Sequence, residues 1–422
     1  MRPILLKDLP PNARYCVLLE PLWALTGTVV LYYATLYMKS VGLSNLSIGV
    51  ILSANLYTAF LFQIIAGAVT DRLGRRMTSL VFDLIGWALP MALWAIATNF
   101  WIFLIAALFN ACSSIVNTSF NLLATEDTPK DGQPRVFAAI KLIAMGAGLL
   151  TPIAGALMGQ YGVVSTLRVI YGVGAVMMSV LFVWRHRLVH ETAAGRAAMK
   201  RRGNTGMARS VATNLRLFWQ LSRQRRMWPL VGLYVATSLA VTINVFQVVY
   251  LADNLGIGAD TISWIPALTA AVALLCFLVL LPRLRGRSVV NTARTALALS
   301  AAGWLLFLLV PRHGVFLLML SSTLIAAGVF LTESYRDTIV VGTLDDKDRA
   351  AMFGALQSVT AMMAIPSGYI AALLYDTRPR LLFVVIFLLY TAGAIFAWML
   401  RPASAPSEEV DPSTAEAAWS EA

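Results

Sequence analysis

Charge is scarce in this sequence. Asp, Glu, Lys and Arg make up 13% of its 422 residues, against 59% hydrophobic. A soluble domain carries roughly 25% charged residues, so no water-facing surface can be built over this much apolar side chain, and lipid is the solvent for most of the chain. Cysteine and histidine are rarer still, at three each. Cys16, Cys112 and Cys276 lie far apart inside apolar runs, without metal-ligand spacing, and read as small buried hydrophobes. His186, His190 and His313 fall in loops outside any triad or metal pattern. GxxxxGK[ST], nucleophile-elbow and HExxH patterns are all absent. These absences exclude a self-contained nucleotide motor and argue against an enzyme. No metal or cofactor is expected, and a proton gradient is the candidate energy source. The start, MRPILLKDLPPNAR, is polar, proline-broken and unlike a cleavable signal peptide.

Long apolar runs are what the chain has instead. A helix needs about 20 mostly apolar residues to cross the hydrocarbon core. Twelve stretches qualify, at 13–38, 46–69, 77–97, 100–125, 136–159, 164–184, 228–251, 261–281, 289–310, 314–333, 350–374 and 380–400. With both termini cytoplasmic, 27 of the 33 Lys and Arg fall on the inner side and five on the outer, the asymmetry of the positive-inside rule. The net charge of +12 is therefore an insertion signal beside anionic lipid and implies no nucleic-acid partner.

The expected class is an all-α, multi-pass protein of the plasma (inner) membrane with the bilayer as its partner. Its organisation is an N-terminal six-helix bundle (1–190), a basic cytoplasmic linker (191–226), a second six-helix bundle (227–400) and a disordered acidic tail (401–422). Within the linker, Leu215, Leu217, Phe218, Trp219 and Leu221 among bases fit a helix lying on the membrane surface or a disordered segment equally well. An internal repeat supports two parallel halves. GLSNLSIGVI at 42–51 aligns with GIGADTISWI at 256–265, and Arg135 and Pro152 recur as Arg349 and Pro366, each 214 positions on. Gly74 has a counterpart in Gly286.

Between the second and third spans stands GAVTDRLGRR (67–76). Two helices reverse direction there within about six residues, so Gly74 supplies backbone freedom and Gly67 permits close helix approach. Asp71 sits at the membrane edge, where arginines and a helix terminus can keep it ionised. Twelve spans in 6+6 repeats with Gly67, Asp71, Arg72, Gly74, Arg75 and Arg76 in this loop resemble the major facilitator superfamily, over roughly residues 12–400. The resemblance implies a secondary transporter whose halves rock around a central site. It also implies that Asp71 is a conformational latch, bonding across the cytoplasmic seam to the other half. The second half has PRLRGRS, with Arg283 where the acid would be. In the fifth span Pro152 and Gly155 fit the family's antiporter signature, while Thr151, Ala147 and Ala156 depart from it. Ala107 stands near the place of an arginine that many members carry.

An ionisable group inside a span costs about 2.5–3.5 kcal/mol on insertion scales and needs a partner or a task. Glu20 and Lys141 lie at matched depth in spans one and five, which suggests an ion pair or a proton-coupling acid with its lysine. Glu126 could compete for Lys141 or Arg135, and Asp83 has no evident partner. Glu333 and Arg336, one turn apart, suggest a local pair. Asn110, Ser114, Asn117 and Asn121 fall within roughly 40° of one line on the fourth span, at about 100° per residue. They suggest a substrate-cavity lining or helix–helix bonding, with Thr237, Asn244 and Gln247 as a counterpart in span seven. The expected function is alternating-access transport of a small molecule by a monomer, leaning to proton-coupled efflux of an amphipathic, drug-like compound. Uptake of a neutral metabolite such as a sugar, by symport or uniport, is the alternative. A non-transporting solute receptor is more distant.

Overall fold

The computed structural model describes residues 9–129, 132–200, 227–284, 288–343 and 349–400. The stretch at 215–221, Gly286 and the tail 401–422 lie outside them. Among the described residues the chain is helical with no strand. The first bundle holds α1 (Pro11–Ser40), α2 (Asn45–Leu73), α3 (Arg75–Ile96), α4 (Phe100–Thr125), α5 (Arg135–Tyr161) and α6 (Val163–Leu188), followed by the short α7 (Ala193–Lys200). The second holds α8 (Trp228–Ile243 and Gln247–Asn254), α9 (Ala259–Arg283), α10 (Val289–Leu308), α11 (Val315–Thr343), α12 (Arg349–Ala364 and Ser367–Thr377) and α13 (Pro379–Met399).

Nine helices among the described residues are long and apolar enough to cross a membrane, and eleven if the bent α8 and α12 each count as one span. The helix at the expected ninth span, α10, falls outside that set because Asn291 and Arg294 occupy its first turns. On α6, Val169, Val173, Val176 and Val180 form an exposed stripe, an outer face suited to lipid and unsuited to water.

Local chemistry sets the helix boundaries. Asn99 starts α4 by accepting from the N–H groups of Trp101 and Ile102 at 3.1 and 3.2 Å, and Ser44 starts α2 by accepting from Ser47 N–H at 3.1 Å, both N-caps. The α2–α3 and α5–α6 reversals each pivot on one residue, Gly74 (φ 84°) and Gly162 (φ 83°). A side chain would strain either turn. The repeat reappears as a shared break. In α5 a 3₁₀ turn, Gly148–Leu150, precedes Pro152, and α12 breaks between Ala364 and Ser367 around Pro366, with a 40° bend. Proline removes a backbone donor at each place.

The bundles meet at the far end, where α1 passes into α2. A Cβ built on Gly49 of α2 would lie 2.6 Å from the Gly368 carbonyl of α12. On Gly155 of α5 it would collide with Ser263 of α9. Across this seam Asn45 Nδ2 donates to Asp376 Oδ1 at 2.6 Å, Tyr369 N–H to Ser53 Oγ at 2.9 Å and Thr151 Oγ1 to the Ser263 carbonyl at 2.9 Å.

Candidate functional site

Below the far-end seam the bundles enclose a cavity of about 640 Å³, within the range that holds a drug-sized ligand. The break in α8 shapes one wall. Its first segment ends at Asn244 (φ −78°, ψ 49°), the chain bends by 49°, and Asn244 Nδ2 donates to Gln247 Oε1 at 2.9 Å. Tyr32 and Thr35 of α1, Trp304 of α10, Ser322 of α11 and Tyr390 of α13 also line it. Lys141 of α5 and Glu333 of α11 are the two charged side chains of the lining. Four buried polar atoms of lining residues, Tyr32 OH, Asn244 Oδ1, Trp304 Nε1 and Ser322 Oγ, have no hydrogen-bond partner among the described residues. Buried polar groups are as a rule paired, so these require a water, a bound solute or another conformation.

A second cavity, of about 410 Å³, lies inside the first bundle, lined by Glu20, Gln63, Ser114, Asn117 and Asn121. At its rear Asp83 and Arg185 form an ion pair with side chains 3% and 8% exposed. Ser79 Oγ donates to Asp83 at 3.2 Å and accepts from Arg185 at 2.9 Å. The guanidinium also lies over Phe120 and Phe182, 5.0 and 5.4 Å from their ring centres. Glu20 makes no ion pair or hydrogen bond among the described residues.

At the near end, Arg75 is 7% exposed and faces two acids, Glu126 (Nη2–Oε1 3.0 Å) and Asp71 (Nη1–Oδ1 2.8 Å). Its Nε also donates to Glu126, and Thr192 Oγ1 donates to the same carboxylate. Glu191 accepts from the backbone N–H groups of Arg75 and Arg76 at 3.0 and 2.9 Å. It supplies from a distant segment the anion that a helix N-terminus attracts. Arg76 Nε donates to the His186 carbonyl at 2.9 Å.

A sequence model of the Major Facilitator Superfamily matches residues 22–250, more than half of the chain. The chain belongs to this superfamily. Solved structures agree in fold. A mutant form of the nucleoside transporter NupG superposes with a TM-score of 0.72 at 15% identity, covering 92% of this chain and 98% of that one. A POT family transporter in complex with 5-aminolevulinic acid gives 0.66 at 12%, covering 93% and 98%. A peptide transporter POT mutant in complex with sulfate gives 0.66 at 16%, covering 94% and 97%. Among curated proteins no sequence match was found. Membership in the Major Facilitator Superfamily makes this a multi-pass, non-enzymatic secondary transporter.

Within the superfamily fold, the residues singled out from sequence separate into groups. Asn244 and Gln247 line the cavity between the bundles, whereas Ser114, Asn117 and Asn121 line the one inside the first. Asn110 donates to the Gly86 carbonyl at 2.8 Å. Thr237 is buried and bonds the carbonyls of Leu233 and Tyr234. The expected Glu20–Lys141 pair is not formed. The two line different cavities, Lys141 lying over the Phe330 ring at 5.7 Å. Equal depth fixes height along the membrane normal but not direction around the helix axis, and one residue of α5, from Ile140 to Lys141, turns about 100° from one cavity to the other. Glu126 pairs with Arg75 rather than Lys141 or Arg135. Arg336 reaches Thr237 and Ser238 at 3.4 and 3.1 Å. The residue that sequence reading misses is Arg185, one position past the expected sixth span at 164–184; α6 runs on to Leu188 and carries it inside.

Proposed function

We propose that the protein exports a small amphipathic compound by alternating access of the central cavity, in exchange for protons. What supports this reading is the cavity itself: aromatic and aliphatic walls, unpartnered polar atoms and a single residue of each charge, a lining that accepts an apolar body with a few polar groups. The working unit is a twelve-span monomer in the plasma membrane with both termini cytoplasmic, so the far-end seam seals the outer side and the conformation is inward-facing. Glu20 is the proton site. An acid within a span needs a task, and this one has no partner among the described residues beside the Asp83–Arg185 pair. The loop at 67–76 is the latch, engaged in the opposite conformation.

Inside-out vesicles with an acidic lumen provide the test. An amphipathic substrate should collapse the gradient in wild type and leave it intact in Glu20→Gln. If no compound of a broad panel releases protons, export by exchange is wrong. The second reading, uptake of a neutral polar metabolite, is favoured by the unpartnered donors Tyr32 OH, Trp304 Nε1 and Ser322 Oγ. Accumulation of a labelled metabolite in right-side-out vesicles would support it.

A further inference from the structure

We infer that the central cavity selects a zwitterion, an apolar or aromatic body with an acid at one end and an amine at the other. The inference rests on reading that cavity as the transport site. Lys141 and Glu333 are both exposed to it and come from opposite bundles, α5 and α11. They form no ion pair with each other, and neither has another ionic partner among the described residues. Lys141 lies over the Phe330 ring, at 5.7 Å. Arg336, one turn beyond Glu333, is directed at Thr237 and Ser238 and stacks on Tyr234 at 4.3 Å. Two opposite charges thus face a space walled by Phe330, Trp304 and Tyr390.

When such a cavity closes, water leaves and any charge without a counter-ion is penalised. A neutral solute strands both residues, and a simple cation or anion strands one. A zwitterion with its carboxylate toward Lys141 and its ammonium toward Glu333 pairs both. It also ties one bundle to the other, so it binds the closed state better than the open one. That difference in affinity is what lets a substrate drive the change of state. The unpartnered Tyr32, Asn244, Trp304 and Ser322 atoms supply neutral hydrogen bonds to the body between the charges.

The test uses the purified full chain and two probe scaffolds, 4-(aminomethyl)phenylacetic acid and phenylalanyl-alanine. Each is tried as the zwitterion, the carboxamide (cation), the N-acetyl acid (anion) and the N-acetyl amide (neutral), with binding read by calorimetry. Wild type should bind at least one zwitterion roughly ten- to hundredfold more tightly than its carboxamide or N-acetyl acid, the worth of one charge-assisted hydrogen bond. Lys141→Gln should abolish the preference over the carboxamide, and Glu333→Gln the preference over the N-acetyl acid. The swap Lys141→Glu with Glu333→Lys should restore zwitterion preference, which a variant that merely failed to fold could not do. A neutral form binding as tightly as the zwitterion in both scaffolds, rankings unchanged in the variants, or no binding of any probe would overturn the inference. The transport reading fails separately, if wild-type vesicles move no compound in either direction. Transport of an uncharged compound retained in Lys141→Gln and Glu333→Gln would leave transport standing and remove the zwitterion.

Discussion

The two bundles share a fold but hold their buried arginines by different groups. In the first, Asp83 faces Arg185, and Glu126 with Asp71 faces Arg75. Glu191 caps the start of α3. In the second, Arg294 and Arg336 bond neutral groups. Arg294 donates to the carbonyls of Ala397, Trp398 and Leu400 at the end of α13 and stacks on Trp398 at 4.9 Å, and Arg336 reaches two hydroxyls and a tyrosine ring. Carboxylates can exchange partners and protons as the bundles move, whereas carbonyls at a helix end are fixed. The first bundle therefore holds adjustable charge pairs at Arg75 and Arg185. The sequence marks the same asymmetry where Asp71 has Arg283 as its counterpart.

The largest effect should come from the most buried acid. Asp83→Ala leaves Arg185, 8% exposed, without its counter-ion and should cost about 3–5 kcal/mol, because an uncompensated buried charge is the expensive case. The double substitution of Asp83 and Arg185 by leucine should recover most of that loss. Denaturant unfolding in detergent measures both, and a double variant no more stable than the single one would mean that the pair is not what stabilises this corner. The matching change in the second bundle, Arg294→Ala, removes three bonds to carbonyls at the end of α13 but leaves no buried charge behind. A loss of about 1–3 kcal/mol is expected. Equal losses at Asp83 and Arg294 would erase the contrast between the bundles.

Glu191 sharpens the comparison at smaller scale. Glu191→Ala strips the cap from α3 and should cost about 0.5–2 kcal/mol, in the range of an N-cap loss. Thermal unfolding at fixed detergent concentration reads it, and no shift in Tm would show that the α3 N-terminus is satisfied by other groups.

What could be read from sequence divides along a physical line. Span positions follow from hydropathy, and the paired breaks at Pro152 and Pro366 follow from a residue that cannot donate a backbone hydrogen bond, so both were legible. Partner choice depends on rotation about helix axes, which depth does not encode. Height alone matches Glu20 with Lys141, while the helices turn the first into the first bundle and the second toward the other. The stripe on α4 was found as a stripe, but periodicity says which residues share a face and not which neighbour that face meets. Asp83 lacks a partner in the sequence reading because hydropathy ends the sixth span at 184, four residues before α6 ends at Leu188, and leaves Arg185 outside it. Glu191 and Glu126 carry no local signal of their tie to Arg75, since 116 and 51 residues separate them from it.

Asp71 should show the smallest effect on stability and the most telling one on function. Its side chain is 57% exposed, and in this conformation it bonds to Arg75 four residues on, within its own bundle. An exposed pair at this spacing contributes about 0.3–0.5 kcal/mol, and Arg75 keeps Glu126 when Asp71 is neutralised. Asp71→Asn should therefore leave unfolding within about 0.5 kcal/mol of wild type. If the loop latches the opposite conformation, the same substitution must slow transport severely in vesicles while membrane insertion and Glu126→Gln controls are unaffected in orientation. The two readouts separate an acid that holds the fold from one that holds a state. Lost stability with lost transport would make Asp71 a structural residue, and unchanged transport would leave the aspartate as part of a basic membrane anchor. Only preserved stability with impaired transport assigns it to the cycle, and would place the adjustable charge of the first bundle where the moving seam needs it.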